Sequence, residues 1–359
     1  MSQARLYGRV LGNGSHVQVT RGFQQALSAA GLLAGQVHLD LDEVDEVPPG
    51  ASAPVAVFTG PLNMVAAMRR NADHRERWTL VAPNSDKSPP RLLATVVEHS
   101  TRILTPSDWG TRVVQAQLTE LGLSCPVSTA PHGIAPELRV HPEARATMER
   151  SYQEGAFKVL HFSTSDRQRK GTRELLQAWQ ELAPVLGDRA HLILVLDPLA
   201  ESALRAWCVD EDAQRLILHP QVSLLTRLDC SPADMARVLS SVHVVCQPSR
   251  GEGFGLVPLE ARACGVPVVM TDCTGHSQHT HIGDPGVLVV PTYDPAPIDD
   301  WEGARAPALR VPDLIEFLAG AHALWPSLNA SARAAAPEIQ SWWSWPEQLR
   351  GVLDAIRET

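Results

Sequence analysis

Short apolar runs alternate with amphipathic stretches throughout the chain, and this alternation constrains its fold more than any other feature. The runs are VAVF (55–58), WTLVAP (78–83), RILTPS (102–107), KVLHFST (158–164), HLILVL (191–196), VHVVCQPS (242–249) and VPVVMT (266–271). Apolar residues in succession suit strands covered on both faces, as in a parallel sheet. Between them, TRELLQAWQELAPVL (172–186) and PADMARVLSSV (232–242) carry helical periodicity. Strand and helix in alternation predict an α/β architecture.

A length of 359 residues suggests two domains. The segment PHGIAPELRVHPEARATMERSYQEGAFK, beginning at Pro131, is polar, holds several prolines and lacks a buried strand. It sets the expected boundary, giving doubly wound domains over 1–150 and 156–335. The tail SWWSWPEQLRGVLDAIRET is tryptophan-rich and then helical. It is expected to cap exposed apolar surface or, over about 340–359, to pack back on the first domain.

The net charge of −9 and a pI near 5.9 argue against a nucleic-acid surface. Residues 1–150 carry 14 Lys and Arg against 14 Asp and Glu, so the whole acidic excess lies in the second part. Six cysteines at 125, 208, 230, 246, 264 and 273 form no CxxC pair. They read as reduced thiols of a cytoplasmic protein. The N-terminus has no signal-like apolar core, and no window approaches the roughly 18 apolar residues of a membrane span. A helix over 61–78 is expected to carry Arg69, Arg70, Arg75 and Arg77, but Asp73 and Glu76 interrupt that cluster. A solvated face is the better reading, which argues against membrane association.

RGEGFGLVPLEARACGVPVVMT, 250–271, carries the chemistry. Glu252 and Glu260 flank a turn built from Gly251, Gly253 and Gly255. The strand VHVVCQPS feeds this turn, helix-forming residues follow it, and Gly265 with Pro267 stops the helix. Ligands of open α/β sheets bind beyond the carboxyl ends of strands. Glycines let backbone N–H groups approach an anion, and a helix N-terminus adds partial positive charge. Ionised carboxylates only accept hydrogen bonds, which suits the vicinal hydroxyls of a sugar or ribose. In HFSTSDRQRKGTRELLQAW (161–179), cations at a strand-to-helix junction can neutralise a diphosphate leaving group.

The stretch E-G-F-G-L-V-P-L-E, followed by A-R-A-C-G-V-P-V-V, closely resembles the retaining glycosyltransferases of family four. That resemblance implies the GT-B fold, two Rossmann-like doubly wound domains facing across a cleft, with the donor site in the second. By it, Glu252 contacts hydroxyls of the donor sugar and Glu260 the nucleotide ribose. The backbone of Gly253, Phe254, Gly255 and Leu256 lines sugar and phosphates. The R-K-G turn is similar to the family's, so Lys170 is expected on the diphosphate. Thr164 stands where many members have an arginine, leaving Arg167 or Arg169 to supply the second cation. GRVLGNGSHVQVTRG (8–22) is similar to the family's glycine-rich loop, with Gly12 and Gly14 closing over the diphosphate and His16 a candidate on the acceptor side.

TPSDWG (105–110) and PHGI (131–134) resemble landmarks of the acceptor-side domain. Ser107 or Asp108 has a sufficient local role as a helix cap, and His132 reads as structural more than catalytic. VAPNSDKSPP (81–90) offers Asn84 and Ser85 as further acceptor-side candidates. His276, His279 and His281 invite a metal reading, but the loop reading is preferred, and the resemblance implies no metal and no cofactor beyond the donor. The implied activity moves a sugar from a nucleoside diphosphate sugar to a small-molecule or saccharide hydroxyl with retention. A catalytically degenerate scaffold that binds sugar nucleotides, or an epimerase or phosphorylase on the same fold, stays open.

Overall fold

A computed structural model describes residues 3–9, 15–38, 53–59, 74–163, 168–196, 221–226, 230–298 and 304–359. Gly12, Gly14, Thr164 and Arg167, and residues 61–73 of the expected basic helix, lie outside them. The chain divides into two compact units, Met1–Ala135 with Trp342–Thr359, and Pro136–Ser341. The division falls earlier than the 1–150 boundary. Residues 142–153 therefore belong to the second unit.

In the first unit, β1 (Ala4–Gly8), β2 (Leu33–His38), β3 (Val55–Phe58), β4 (Glu76–Leu80), β5 (Arg102–Thr105) and β6 (Val127–Thr129) form one parallel sheet in the order β2-β1-β3-β4-β5-β6. Helices α1 (Ser15–Ala29), α2 (Pro90–His99) and α3 (Asp108–Glu120) follow β1, β4 and β5. Tyr7, Phe58, Leu93, Ile103 and Val114 make its buried core. Ser107 caps α3, accepting from the Gly110 N–H at 3.1 Å. The expected helix over 61–78 does not hold at its end. Residues 76–78 are strand, because Glu76, Arg77 and Trp78 pair with Val55, Ala56 and Val57 of β3.

The second unit opens with α4 (Pro142–Gln153), then β7 (Phe157–Ser163), α5 (Thr172–Leu186), β8 (Ala190–Leu196), β9 (Val222–Thr226), α6 (Pro232–Ser240), β10 (Val244–Gln247), α7 (Leu256–Ala263), β11 (Val268–Met270) and β12 (Val287–Val289). These six strands form one parallel sheet in the order β12-β11-β10-β7-β8-β9, and Tyr293–Pro297 and Arg305–Ala308 add a separate antiparallel pair. Helix α5 buries Leu175, Leu176, Ala178, Trp179 and Leu182, one helical face, against Phe157, Val159, Leu192 and Leu194. The strand order reverses between β7 and β10, which creates a switch point at their carboxyl ends. There the two strands part. They pair only at Val244–Val159 and Val245–Leu160. Beyond that the Gln247 side chain takes over, accepting from Phe162 N at 3.4 Å and donating to Phe162 O at 3.1 Å.

Candidate functional site

The two segments that leave this switch point bring Lys170 and Glu252 together, although 82 residues separate them. Lys170 Nζ donates to Glu252 Oε1 at 2.5 Å, and Ser249 Oγ donates to the same oxygen at 2.8 Å. Arg169 Nη1 reaches Glu252 Oε2 at 3.4 Å and donates to the Gly251 carbonyl at 2.6 Å. The Arg169 carbonyl in turn accepts from Arg250 N at 2.7 Å, tying the two turns together. Arg169 shares Glu252 with Lys170, while the other candidate arginine, Arg167, lies outside the described residues. Burial alone would push the Glu252 carboxyl up, but the Lys170 ammonium and then the Arg169 guanidinium outweigh it. The group is held well below the usual carboxylate range.

Glycine is required at both turns. Gly171, ahead of α5, has φ +67°, and a Cβ there would run into the Pro248 carbonyl. Gly255, the N-cap of α7, has φ +87°, and a Cβ would enter the His276 ring. Gly253 and Phe254 are buried, while Gly255, Leu256, Val257 and Glu260 keep partial exposure. Positions 256 and 260 are one turn apart, so Glu260 shares the exposed face at the head of α7. The Glu260 side chain keeps partial exposure, yet it lies deep in the surrounding protein, and that burial pushes its carboxyl up to about 7. No hydrogen bond or ion pair to it exists among the described residues. Glu252 is thus satisfied within the protein, and Glu260 is an acceptor waiting for donors.

Sequence reasoning missed the layer behind the glycine turn, a 3-10 turn at Thr274–Gln278. Thr274 has φ 55° and is the only non-glycine residue with positive φ among the described residues; its Oγ1 accepts from Glu252 N at 2.9 Å. Gly275 N donates to the Glu252 carbonyl at 2.8 Å. His276 and His279 are buried, not metal-facing: His276 Nδ1 donates to Thr271 O at 2.9 Å, and His279 Nε2 donates to Phe254 O at 2.9 Å. Burial, first of all, lowers them to about 4 and about 3, so both are neutral at physiological pH. His281 is exposed. Among the described residues no group of three His, Cys, Asp or Glu is placed to hold a metal ion. His161, also unforeseen, lies under the Lys170 turn, bonded to Cys246 O and to Thr172 Oγ1, both at 2.9 Å.

In the first unit, the segments after β1, β4 and β6 leave the same edge of a parallel sheet, so His16, Asn84, Ser85 and His132 all lie at its carboxyl edge. His16 is exposed in the first turn of α1. Ser85 is fully buried and donates to the Lys87 carbonyl at 2.8 Å, a turn contact that withdraws its hydroxyl from an acceptor. His132 is buried 5.6 Å from the Trp345 ring, and burial, then His16, lowers it to about 3. Asn84 keeps partial exposure.

Residues 156–300 match the family model of the glycosyl transferases group 1. This segment is a group 1 glycosyltransferase domain. The D-inositol 3-phosphate glycosyltransferase of Rhodococcus erythropolis is 29% identical over 168 residues, 47% of this chain and 34% of that protein. The enzyme of the same description from Corynebacterium urealyticum is 34% identical over 133 residues, 37% and 31% of the two chains. These matches span about a third of the relatives' length. Among solved structures, sucrose-phosphate synthase of Thermosynechococcus elongatus superposes with a TM-score of 0.70 at 17% identity, covering 100% of both chains. Anabaena Alr3699/HepE, in complex with UDP and glucose, does so at 0.67 and 13%, again over 100% of both. The glycosyltransferase domain and the unit before it therefore have the GT-B fold. Among the described residues no helix is long and apolar enough to cross a membrane.

Proposed function

We propose that this protein transfers a sugar from a nucleoside diphosphate sugar to an acceptor hydroxyl, with retention and without a metal. The observation that carries the reading is the contrast between the two glutamates of the second unit. Glu260 is an unpartnered acceptor on the exposed face at the head of α7, suited to ribose hydroxyls. Glu252 is locked into a cationic corner with Lys170 and Arg169. An entering diphosphate competes for Lys170, and the freed Glu252 oxygen then accepts from a sugar hydroxyl.

Lys170 and Arg169 supply the positive charge that a departing diphosphate requires, the role a metal ion would otherwise fill. The backbone N–H groups at the head of α7 add partial positive charge. UDP and glucose in the Anabaena neighbour make UDP-glucose the first donor to try. His16 and Asn84, at the carboxyl edge of the first sheet, are the acceptor-side candidates that keep exposure. The acceptor in this reading is a small molecule or a saccharide.

The test is release of UDP from UDP-glucose, or of the corresponding product from GDP- or ADP-glucose, with chelator and a panel of hydroxylated acceptors. Proton NMR of the product reads the anomer. Acceptor-dependent release with an α-product supports the reading. Tight nucleotide binding with no turnover on any acceptor would move it to a sugar-nucleotide-binding scaffold.

A further inference from the structure

His279 is held on several sides, yet it lies behind the residues assigned to a donor. Its Nε2 is 2.9 Å from the Phe254 carbonyl and its Nδ1 3.0 Å from Thr280 Oγ1. A carbonyl only accepts, so Nε2 carries the hydrogen and Nδ1 takes one from the threonine. Arg262, two residues beyond Glu260 on α7, donates through Nη1 to the His279 carbonyl and pairs with Asp284 at 2.9 Å through Nη2. The His279 ring packs on the Phe254 ring, with centroids 4.9 Å apart. This histidine is thus a firmly held donor to the Phe254 carbonyl oxygen.

That oxygen belongs to a peptide whose orientation matters. In a trans peptide the carbonyl and the following N–H point to opposite sides, and no cis bond occurs among the described residues. Pinning the Phe254 carbonyl inward on His279 therefore turns the Gly255 N–H outward. Gly255 is the N-cap of α7 and keeps partial exposure, and its N–H meets no acceptor among the described residues. Flanking glycines at 253 and 255 accept either sign of φ, so the turn's own sequence does little to fix this plane.

We propose that His279 is a positioning residue: its Nε2–H holds the Phe254 carbonyl so that the Gly255 N–H presents to the diphosphate of the donor. This rests on the reading that the second unit binds a nucleoside diphosphate sugar. A leucine at 279 fills a similar volume without the donor, and the peptide is then free to turn its carbonyl toward the anion. Glutamine places an N–H near the position of Nε2 and preserves the function.

The experiment is calorimetric titration of wild type, His279→Leu and His279→Gln with UDP and with uridine, or with whichever of the GDP–guanosine and ADP–adenosine pairs the wild type prefers. The ratio of nucleoside Kd to diphosphate Kd isolates the diphosphate contribution. In His279→Leu the ratio falls about tenfold, as for one lost hydrogen bond to a charged group, while nucleoside affinity stays within about twofold. His279→Gln returns the ratio to within about threefold of wild type. An unchanged ratio in His279→Leu overturns the proposal. So does an equal loss of both ligands, or a folded glutamine variant that restores nothing. If His279→Leu does not fold, His279→Asn replaces it, since that amide is too short to reach the Phe254 carbonyl. A wild type that binds none of the three diphosphates removes the donor reading itself, a different failure from an unchanged ratio.

Discussion

Replacing Glu260 by glutamine separates what this side chain does to the fold from what it does for a ligand. Burial moves its carboxyl from 4.5 up to about 7. A carboxyl whose folded value is raised binds its proton more tightly in the native state than in the unfolded chain. The stability this brings is complete below pH 4.5 and is lost progressively as pH rises through 7, beyond which the penalty is constant. At 1.36 kcal/mol per pH unit, the carboxylate costs about 3 kcal/mol at pH 8, which glutamine, an uncharged isostere, avoids. For a unit of this size that is about 6–12 °C in Tm. Glu260→Gln should therefore melt at nearly the wild-type temperature at pH 4.5 and well above it at pH 8.

Ligand affinity should move the other way. Loss of the carboxylate weakens nucleoside binding about 10- to 100-fold at pH 8, the range for hydrogen bonds to a charged group. Wild-type affinity for the nucleoside, which has no phosphate to titrate, should fall by up to tenfold per pH unit below 7 because only the ionised carboxyl binds. The variant's affinity should be flat over that range. Thermal melting and calorimetry between pH 4.5 and 8 read both effects. A glutamine variant that is no more stable than wild type at pH 8, with nucleoside binding intact, would leave Glu260 neither role.

Two further outcomes follow from the same geometry. Lys170→Ala should lower turnover about 10²- to 10³-fold by removing charge from the leaving group. Its nucleoside affinity should stay near wild type, and steady-state kinetics with calorimetry separate the two; equal losses would place Lys170 elsewhere. Gly255→Ala, at φ +87° and against the His276 ring, should destabilise the protein by about 1–3 kcal/mol in urea denaturation. An unchanged midpoint would mean the turn has another conformation.

What the sequence made legible was local. The strand at 55–58 and the helix at 172–186 were readable to the residue, because each carries its periodicity within its own span. The helix at 142–153 was not, since it buries only Arg145 and Met148 and presents almost no apolar face. Glu252 and Glu260 stood out through their spacing around glycines, but the pairing of Glu252 with Lys170 depends on β7 and β10 being neighbours at a strand-order reversal. Ser249 and Thr274 left no signal, and His279 stood out only as one of three clustered histidines. Thr274 and His279 act on backbone groups far along the chain, and the Ser249 hydroxyl meets Glu252 only because the turn folds back. The three clustered histidines suggested a metal from proximity alone, whereas two of them are committed to carbonyl oxygens.

In our proposal the second unit is a nucleotide-sugar site anchored by Glu260. The most direct test is thermal stabilisation of wild type and Glu260→Gln by UDP-, GDP-, ADP- and TDP-glucose with chelator present. Ligand at 100 times Kd stabilises by about 2.7 kcal/mol, so one base should give a clear upward shift in wild type, of which the variant keeps about half or less. No shift with any of the four, or an equal shift in the variant, would contradict the claim.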